Sequence, residues 1–234
     1  MFVYFLGPNG AGKSTQINLL VRWLRARGLR VKVAYVQCNH LPILILDGFL
    51  IKLGRFGFYT YPDGKRVRVP SAEILFRIRY LWFCIQFLSI VFLSFIRVYV
   101  PLLMGYVVVA ERYVLDSVSD LCWASLSFRV KASFLSRIVK VLLYLVPRGT
   151  VIVHLDAPYE VLERRFFERG SVVEPRDYVE MQRKFSWKLI EALGNRNVKA
   201  VHVDSSAIGI SETFNMVKGL LTSGHARENK SILS

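Results

Sequence analysis

The chain has 234 residues, 53% of them hydrophobic, and a formal net charge of +15. The length suits a single α/β domain with insertions, and the charge fits polyanionic ligands such as nucleotides, nucleic acid or an anionic membrane surface. We expect most of the cations to form a solvated basic surface, without a nucleic-acid partner. The three cysteines are odd in number and lack a CxxC pair, which argues against a disulfide framework or a zinc site and favours a reducing, cytoplasmic setting.

Apolar runs and helical spacings alternate along the chain. Five strands are predicted, at residues 2–6, 29–36, 105–112, 150–156 and 198–204. Helices are predicted from Gly12 to Gly28, from Ser71 to a stop at Pro101, from 113 to about 145, from Pro158 to a polar segment at 169–177, then over 177–193 and 210–221. The first apolar run is too short for a signal peptide and leads straight into a glycine-rich loop.

This alternation predicts the α/β class and a P-loop NTPase three-layer sandwich, with a parallel sheet of about five strands and helices on both faces. Residues 1–222 would form one domain with an arginine-bearing lid at 168–177, and residues 223–234 a disordered tail. Residues 37–70 are expected to be an irregular insertion on the acceptor side. It contains a β-hairpin over 58–69 that turns at Pro62-Asp63-Gly64.

The motif GPNGAGKST at residues 7–15 lies between the first strand and the first helix, the context that a P-loop requires. The glycines of this loop permit backbone angles that turn the amides inward, and the helix N-terminus behind them favours an anion. Lys13 is expected to reach the β- and γ-phosphates of ATP, Ser14 to hold Mg²⁺ and Thr15 to assist at the α-phosphate. The whole loop is a candidate nucleotide site: Gly7, Pro8, Asn9, Gly10, Ala11, Gly12, Lys13, Ser14 and Thr15.

Two charged residues end the predicted strand VVVAER. Glu111 can orient Mg²⁺ directly or through water, and Arg112 can bind a phosphate with bidentate hydrogen bonds. The alternative is a surface ion pair at a strand end.

A third cluster combines arginines with a polar loop in LDAPYEVLERRFFERGSVVEPRD, residues 155–177. Arg165 and Arg169 share a helix face, with Arg164 beside them and Arg176 across the loop. Phosphoryl transfer needs positive charge on the moving group, which a mobile lid of this kind supplies. The alternative is an exposed helix whose glutamates pair with these arginines.

The order of these segments resembles the thymidylate kinase family. The glycine-rich loop is followed by ERY, by LDAPYEVLERRFFERG and by HVDSSAIGISETFNMV, so the resemblance covers about residues 1–36 and 105–221. It implies a kinase that uses ATP and Mg²⁺ to phosphorylate a nucleoside monophosphate, with thymidylate as the first candidate. In that family the arginine of the ERY-like motif grips the acceptor phosphate, which is Arg112 here, with Tyr113 after it.

The resemblance implies further roles. Arg164, Arg165 and Arg169 match the lid arginines, and Asp204, Ser205 and Ser206 match a stretch near the adenine of ATP. Some members carry a catalytic arginine in the loop. That position is Gly10 here, so the lid arginines would carry the transition-state charge, with Arg165 favoured over Arg169.

The sequence also departs from the family pattern. Asn9 replaces the usual acid that approaches the nucleotide sugar. The family's Arg-Glu-Pro-Gly-Gly loop after the second strand is absent, and QCNHLPILI stands in its place. Phe76, with Arg77 or Arg79, is the nearest candidate for the aromatic and arginine that frame the thymine. Asp116 either faces the acceptor pocket or caps a helix.

The segment over residues 80–100 carries no charge before Arg97, a length at the low edge for a transmembrane helix. A span would separate the glycine-rich loop from Glu111, so a core helix or the interface of a homodimer is favoured over a peripheral membrane contact and over a true span. Two other functions stay open: a P-loop kinase of another small phosphorylated acceptor, and a non-catalytic nucleotide-binding protein at a membrane.

Overall fold

A five-stranded parallel sheet forms the centre of the protein. The computed structural model describes residues 1–37, 41–60, 64 and 66–228. Its strands are β1 (Phe2–Leu6), β2 (Val31–Tyr35), β5 (Val107–Arg112), β6 (Val151–Asp156) and β7 (Lys199–Asp204). They lie in the order β2-β5-β1-β6-β7, and every neighbouring pair is parallel. A separate antiparallel hairpin is made of β3 (Phe56–Thr60) and β4 (Arg66–Pro70). The predicted α/β class and five-stranded parallel sheet are confirmed.

Helices cover both faces of the sheet. They are α1 (Lys13–Arg25), α2 (Leu41–Lys52), α3 (Ala72–Arg77), α4 (Arg79–Ser94), α5 (Val100–Leu103), α6 (Val114–Ser127), α7 (Ala132–Tyr144), α8 (Tyr159–Glu168), α9 (Arg176–Glu191) and α10 (Ile210–Glu228). Successive side chains of a strand point to opposite faces, so Val3 and Phe5 pack with α1, α8 and α10, whereas Tyr4 packs with α4, α6 and α7. Both faces of the central strands β1, β5 and β6 are therefore buried, as their unbroken apolar runs predict, whereas the edge strands β2 and β7 expose several residues.

The helix predicted over 71–100 is wrong in its boundaries. It is divided into α3 and α4, followed by a π-helical turn at Phe95–Tyr99 and the short α5. Pro101 does not end it, because the proline lies in the first turn of α5, where a backbone N–H has no helical partner to lose. The chain turns instead at Gly105, whose φ is +77°.

Three other boundaries also differ from the predictions. The region from 113 to 145 is two helices, α6 and α7, joined at Arg129, whose φ is +48°. Part of the predicted irregular insertion is the helix α2. The sequence did not reveal it, because its residues are apolar apart from Asp47 and Lys52 and show no helical periodicity, and its position is set by packing against α4 and β4. The last helix continues to Glu228, beyond its predicted end at 221. The hairpin is confirmed, but Pro62 and Asp63 of its predicted turn, and residues 229–234, lie outside the described residues.

Candidate functional site

The sequence motifs meet at the carboxyl ends of the central strands. Strand β1 lies between β5 and β6, and the chain leaves β1 toward β2 on one side before it later adds β6 on the other. Ligands of open parallel sheets bind at such a reversal of strand order. The glycine-rich loop follows β1 at this point, Glu111 and Arg112 end β5, and Asp156 ends β6.

The loop has the backbone conformation that its glycines were expected to provide. The φ angles are +138° at Gly7, +83° at Gly10 and +91° at Gly12. A Cβ on Gly7 would lie 1.9 Å from the carbonyl oxygen of Leu155, so strand β6 leaves no room for a side chain there. Helix α1 begins directly after Gly12 without a side-chain cap, which leaves its N-terminus to an anion.

A cavity of about 250 Å³ lies in front of this loop. Its described lining includes residues of the loop, Glu111 and residues of the segment after α8: Asn9, Gly10, Gly12, Lys13, Ser14, Thr15, Glu111, Phe166, Arg169, Ser171 and Val172. The loop residues Pro8 and Ala11 support it from behind, where Ala11 is fully buried and its N–H donates to the Pro8 carbonyl. We call this cavity the loop cavity.

Lys13 is buried at the base of the loop cavity. Its ammonium donates to the carbonyl oxygens of Gly7 and Pro8, at 2.7 and 2.8 Å. Burial, followed by the positive charge of Arg112, lowers the pKa of Lys13 to about 8. An ammonium has three donors, so it can keep both carbonyls and still serve an anionic oxygen. An anion in the cavity would favour the charged lysine.

The two residues predicted to hold Mg²⁺ are in contact. The hydroxyl of Ser14 donates to Oε1 of Glu111, although 97 residues separate them in the chain. Mg²⁺ keeps several waters and takes few protein ligands beside phosphate oxygens, so one hydroxyl and one carboxylate fit such an ion. Among the described residues, no three His, Cys, Asp or Glu side chains form a separate metal cluster.

Arg112 is buried beside the loop. Its Nη2 donates to Oδ1 of Asn9, and its Nη1 lies 3.9 Å from Oδ1 of Asp116. Burial alone would lower the pKa of the guanidinium, but the carboxylates of Asp116 and Asp120 raise it, so Arg112 stays charged. Within the described part of the chain, Nη1 makes no hydrogen bond despite its burial, and an anion could satisfy it.

Asp116 supports Arg112 from the core, and Tyr113 holds Asp116. The Asp116 carboxylate accepts from the Tyr4 hydroxyl at 2.5 Å and from the backbone N–H of Tyr113 at 3.2 Å, which caps α6. Tyr113 is fully buried and its hydroxyl donates to the Leu145 carbonyl at 2.6 Å. Asp116 therefore caps α6, as one of its two interpretations predicts, and it also lies beside the Arg112 guanidinium. Tyr113 is buried in the core and holds the Asp116 carboxylate through its backbone N–H.

The lid arginines have four different environments. Arg165 donates to the Gly10 carbonyl and to both Oγ and the carbonyl of Ser205, at 2.8–3.0 Å. Arg169 lines the loop cavity. Arg164 is exposed beside Glu168 at 3.7 Å, and Arg176 pairs with Glu160 at 2.8 Å on the surface. Of the four, Arg169 is therefore placed to meet charge in the loop cavity, whereas Arg165 ties α8 to the loop and to the end of β7.

A second, smaller cavity of about 160 Å³ continues from the loop cavity past Arg169. Its lining includes Arg165, Ser205 and five residues that sequence reasoning missed: Gln16, Leu155, Ile208, Ile210 and Thr213. Asp204 does not reach it and instead accepts from Ser206 N and Oγ, which holds the turn after β7. The sequence did not indicate a role for Gln16 in the site, because a single glutamine is common among the polar residues of an amphipathic helix.

A third cavity of about 560 Å³, which we call the aromatic cavity, lies between α4, α6 and the start of α9. Trp82, Trp123, Asp120 and Tyr178 are among its lining residues. The Tyr178 hydroxyl donates to Asp120 at 2.5 Å, and burial raises the pKa of Asp120 to about 6. Asp120 and Tyr178 of this cavity also raise the pKa of the Arg112 guanidinium.

Phe76, Arg77 and Arg79 are not in the described lining of this cavity. Arg79 stacks on the Phe76 ring, with its guanidinium 4.2 Å from the ring centre, and Arg77 pairs with Glu73 on the surface. Trp82, six residues after Phe76 and in the next helix, is an aromatic residue that does line it. The sequence signal for the cavity was present in α6, where Asp116 and Asp120 are the only charges and are four residues apart.

Asn9 links the loop to the rest of the site. Its Nδ2 donates to Oε1 of Glu174 at 2.8 Å, while its Oδ1 accepts from Arg112. Glu174 also lines the aromatic cavity, so Asn9 stands between the loop cavity and the aromatic cavity.

No model of a known protein family matches this chain, and no curated protein matches it either. The resemblance to the thymidylate kinases therefore stays a prediction that rests on the sequence motifs, and the function has to be argued from the geometry of the site.

Proposed function

We propose that this protein is a P-loop nucleoside monophosphate kinase that transfers the γ-phosphoryl group of ATP, with thymidylate as the first acceptor to test. The observation that carries the proposal is the arrangement at the edge of the sheet. Lys13 and the Ser14–Glu111 pair line one cavity. The buried Arg112 donates to Asn9 of this cavity, and its pKa is raised by Asp120, which lines a second, aromatic cavity. A phosphate donor and a phosphorylated acceptor need two such compartments with cationic groups at their junction.

The donor side is the loop cavity and the smaller cavity behind it. The loop amides, the N-terminus of α1 and Lys13 would hold the β- and γ-phosphates of ATP. Gln16, Ser205 and Ile208 would surround the base. Ser14 and Glu111 would hold Mg²⁺, which in such sites neutralises charge on the transferred group.

The acceptor side is Arg112 with the aromatic cavity. Arg112 has an unsatisfied Nη1 for the acceptor phosphate and is held in place by Asn9 and Asp116. Trp82 and Trp123 offer ring faces for a base, and Asp120 offers an acceptor for a ring N–H.

Arg169 would supply the charge that the transition state needs. It lines the loop cavity, and Gly10 leaves the loop without an arginine of its own. Arg165, which the sequence favoured, uses its donors on Gly10 and Ser205 and so acts by positioning. Arg112 would bind the acceptor equally before and during transfer, whereas Arg169 would act only as charge moves.

A panel of nucleoside monophosphates, each tested with and without a non-hydrolysable ATP analogue, checks the proposal by thermal shift and by phosphate transfer. A ligand that binds only the folded protein raises the apparent melting temperature. Thymidylate is expected to stabilise the protein most in the presence of the analogue, and Lys13→Ala to lose about 10²-fold or more in turnover. Lys131→Ala, an exposed lysine at the start of α7, is the matched control. Near-normal turnover in Lys13→Ala would contradict the proposal.

A further inference from the structure

Helix α4 buries several polar residues and exposes large apolar ones. It buries Gln86, Ser89 and Ser94, each less than 7% exposed, against the rest of the protein. Its exposed residues include Leu88 and Phe92, which are 61% and 63% exposed. Surface helices of soluble proteins place their apolar residues toward the core. The outer side of α4 is therefore adapted to an apolar environment.

This outer side belongs to a larger surface. Leu81, Leu88, Phe92 and Phe95 are spaced by seven, four and three residues, so they form one stripe along α4 and the turn after it. Helix α2 packs against both α4 and β4, and it exposes a second stripe at Ile45, Phe49 and Leu53, each 58–62% exposed. We call these seven side chains the apolar face. Contiguous exposed apolar surface of this kind marks a site of association.

A membrane span is not compatible with the packing of this segment. Arg79–Leu103 is the described helical segment that is long and apolar enough to cross a bilayer, with a mean hydropathy of 2.0 over its best window. Yet Phe83, Ile90 and Val98 are fully buried in the core on one face of the sheet. A span would withdraw these residues from that core, so the helix can lie along an apolar phase but not cross it.

The charges around the apolar face select its partner. Residues 41–104 contain eight lysines and arginines against three acidic residues. The exposed cations include Lys52 and Arg55 at the end of α2, Arg66 and Arg68 on β4, and Arg97 beyond α4. A second copy of the chain would bring two sets of these cations together, and the whole chain carries +15. Anionic lipid headgroups oppose them with the complementary charge.

We infer that the protein binds the surface of anionic membranes through the apolar face, with Leu88, Phe92 and Phe95 of the α4 segment and Ile45, Phe49 and Leu53 of α2 entering the headgroup region and the neighbouring cations pairing with lipid phosphates. Combined apolar and cationic contacts of this type give peripheral, reversible binding. The inference does not depend on the proposed kinase activity.

Co-sedimentation of the full chain with phosphatidylcholine vesicles, with and without phosphatidylglycerol, tests it. Wild-type protein is expected to sediment with the anionic vesicles and to be released from them by salt. Its affinity for the vesicles should fall about fivefold for each contact between a lysine or arginine and a lipid phosphate that is lost. Leu88→Glu/Phe95→Glu should weaken binding by about 10²-fold or more, because each side chain contributes roughly tenfold when it is buried. Met216→Glu, an exposed apolar residue of α10 on the opposite face of the sheet, should bind as wild type.

Circular dichroism and the melting temperature verify that both variants are folded, which is expected because the replaced side chains are exposed. The inference is overturned if wild-type protein stays in the supernatant with anionic vesicles, or if the double variant binds as tightly as wild type. It is also overturned if light scattering finds a dimer that the double variant dissociates while vesicle binding is absent. That result would assign the apolar face to a second copy of the chain.

Discussion

Replacing Gly7 with alanine tests how closely the glycine-rich loop is fitted to strand β6. The new Cβ would lie 1.9 Å from the Leu155 carbonyl oxygen, and contacts of this kind essentially never fall below 3.0 Å. The loop or the strand therefore has to move by the difference of 3.0 and 1.9, at least 1.1 Å. Overpacking costs about 1–3 kcal/mol, and the positive φ adds about 1–2 kcal/mol, so Gly7→Ala should destabilise the protein by about 2–5 kcal/mol.

Gly28→Ala is the matched control for this variant. Gly28 also has a positive φ, +75°, but nothing lies within 4 Å of its added Cβ, so only the backbone cost of about 1–2 kcal/mol applies. Urea unfolding measures both free energies. A displacement of about 1 Å at the phosphate site should also lower kcat/KM about 10²-fold in Gly7→Ala and leave it unchanged in Gly28→Ala. Equal loss of stability in the two variants, with ATP binding intact in both, would refute the close fit of loop and strand.

Three further predictions concern the charges of the site. Because Lys13 has a pKa of about 8 and must be protonated to hold a phosphate, ATP affinity should fall about tenfold between pH 7 and pH 9; a flat profile in calorimetric titrations would contradict this. Arg112→Lys keeps a positive charge beside Asp116 but loses the two-pronged donor, so KM for the monophosphate should rise about tenfold or more in steady-state assays while KM for ATP changes little. Arg169→Ala should lower kcat about 10²–10³-fold, because Arg169 lines the loop cavity. Arg164→Ala, which removes an exposed arginine, should leave kcat within about twofold. Equal effects of the two substitutions on kcat would show that Arg169 does not stabilise the transition state.

The sequence alone was sufficient for the local features of the site. Patterns within a few residues predict the five strands and the glycine-rich loop between β1 and α1. The meeting of Ser14 with Glu111 follows when the rule that parallel strands end at one edge is added to these patterns. Apolar strand runs and glycine positions are strongly constrained by backbone geometry, so they can be recognised without knowing what surrounds them.

Contacts between distant residues decided the rest. Asp116 can support Arg112 because Tyr4, 112 residues away in the chain, donates its hydroxyl to the Asp116 carboxylate. Helix α2 has no periodic pattern to identify it, since its position depends on packing against α4 and β4.

The lid arginines and the aromatic cavity also depended on tertiary structure. Four arginines of one segment cannot be ranked by spacing, and only the contacts of Arg165 with Gly10 and Ser205 separate it from Arg169. Asp120 and Tyr178 are 58 residues apart and belong to no motif. The sequence therefore determined which residue types stand at the ends of the strands, and the tertiary structure determined which of them face a cavity, because burial and hydrogen-bond partners depend on packing between segments that are remote in the chain.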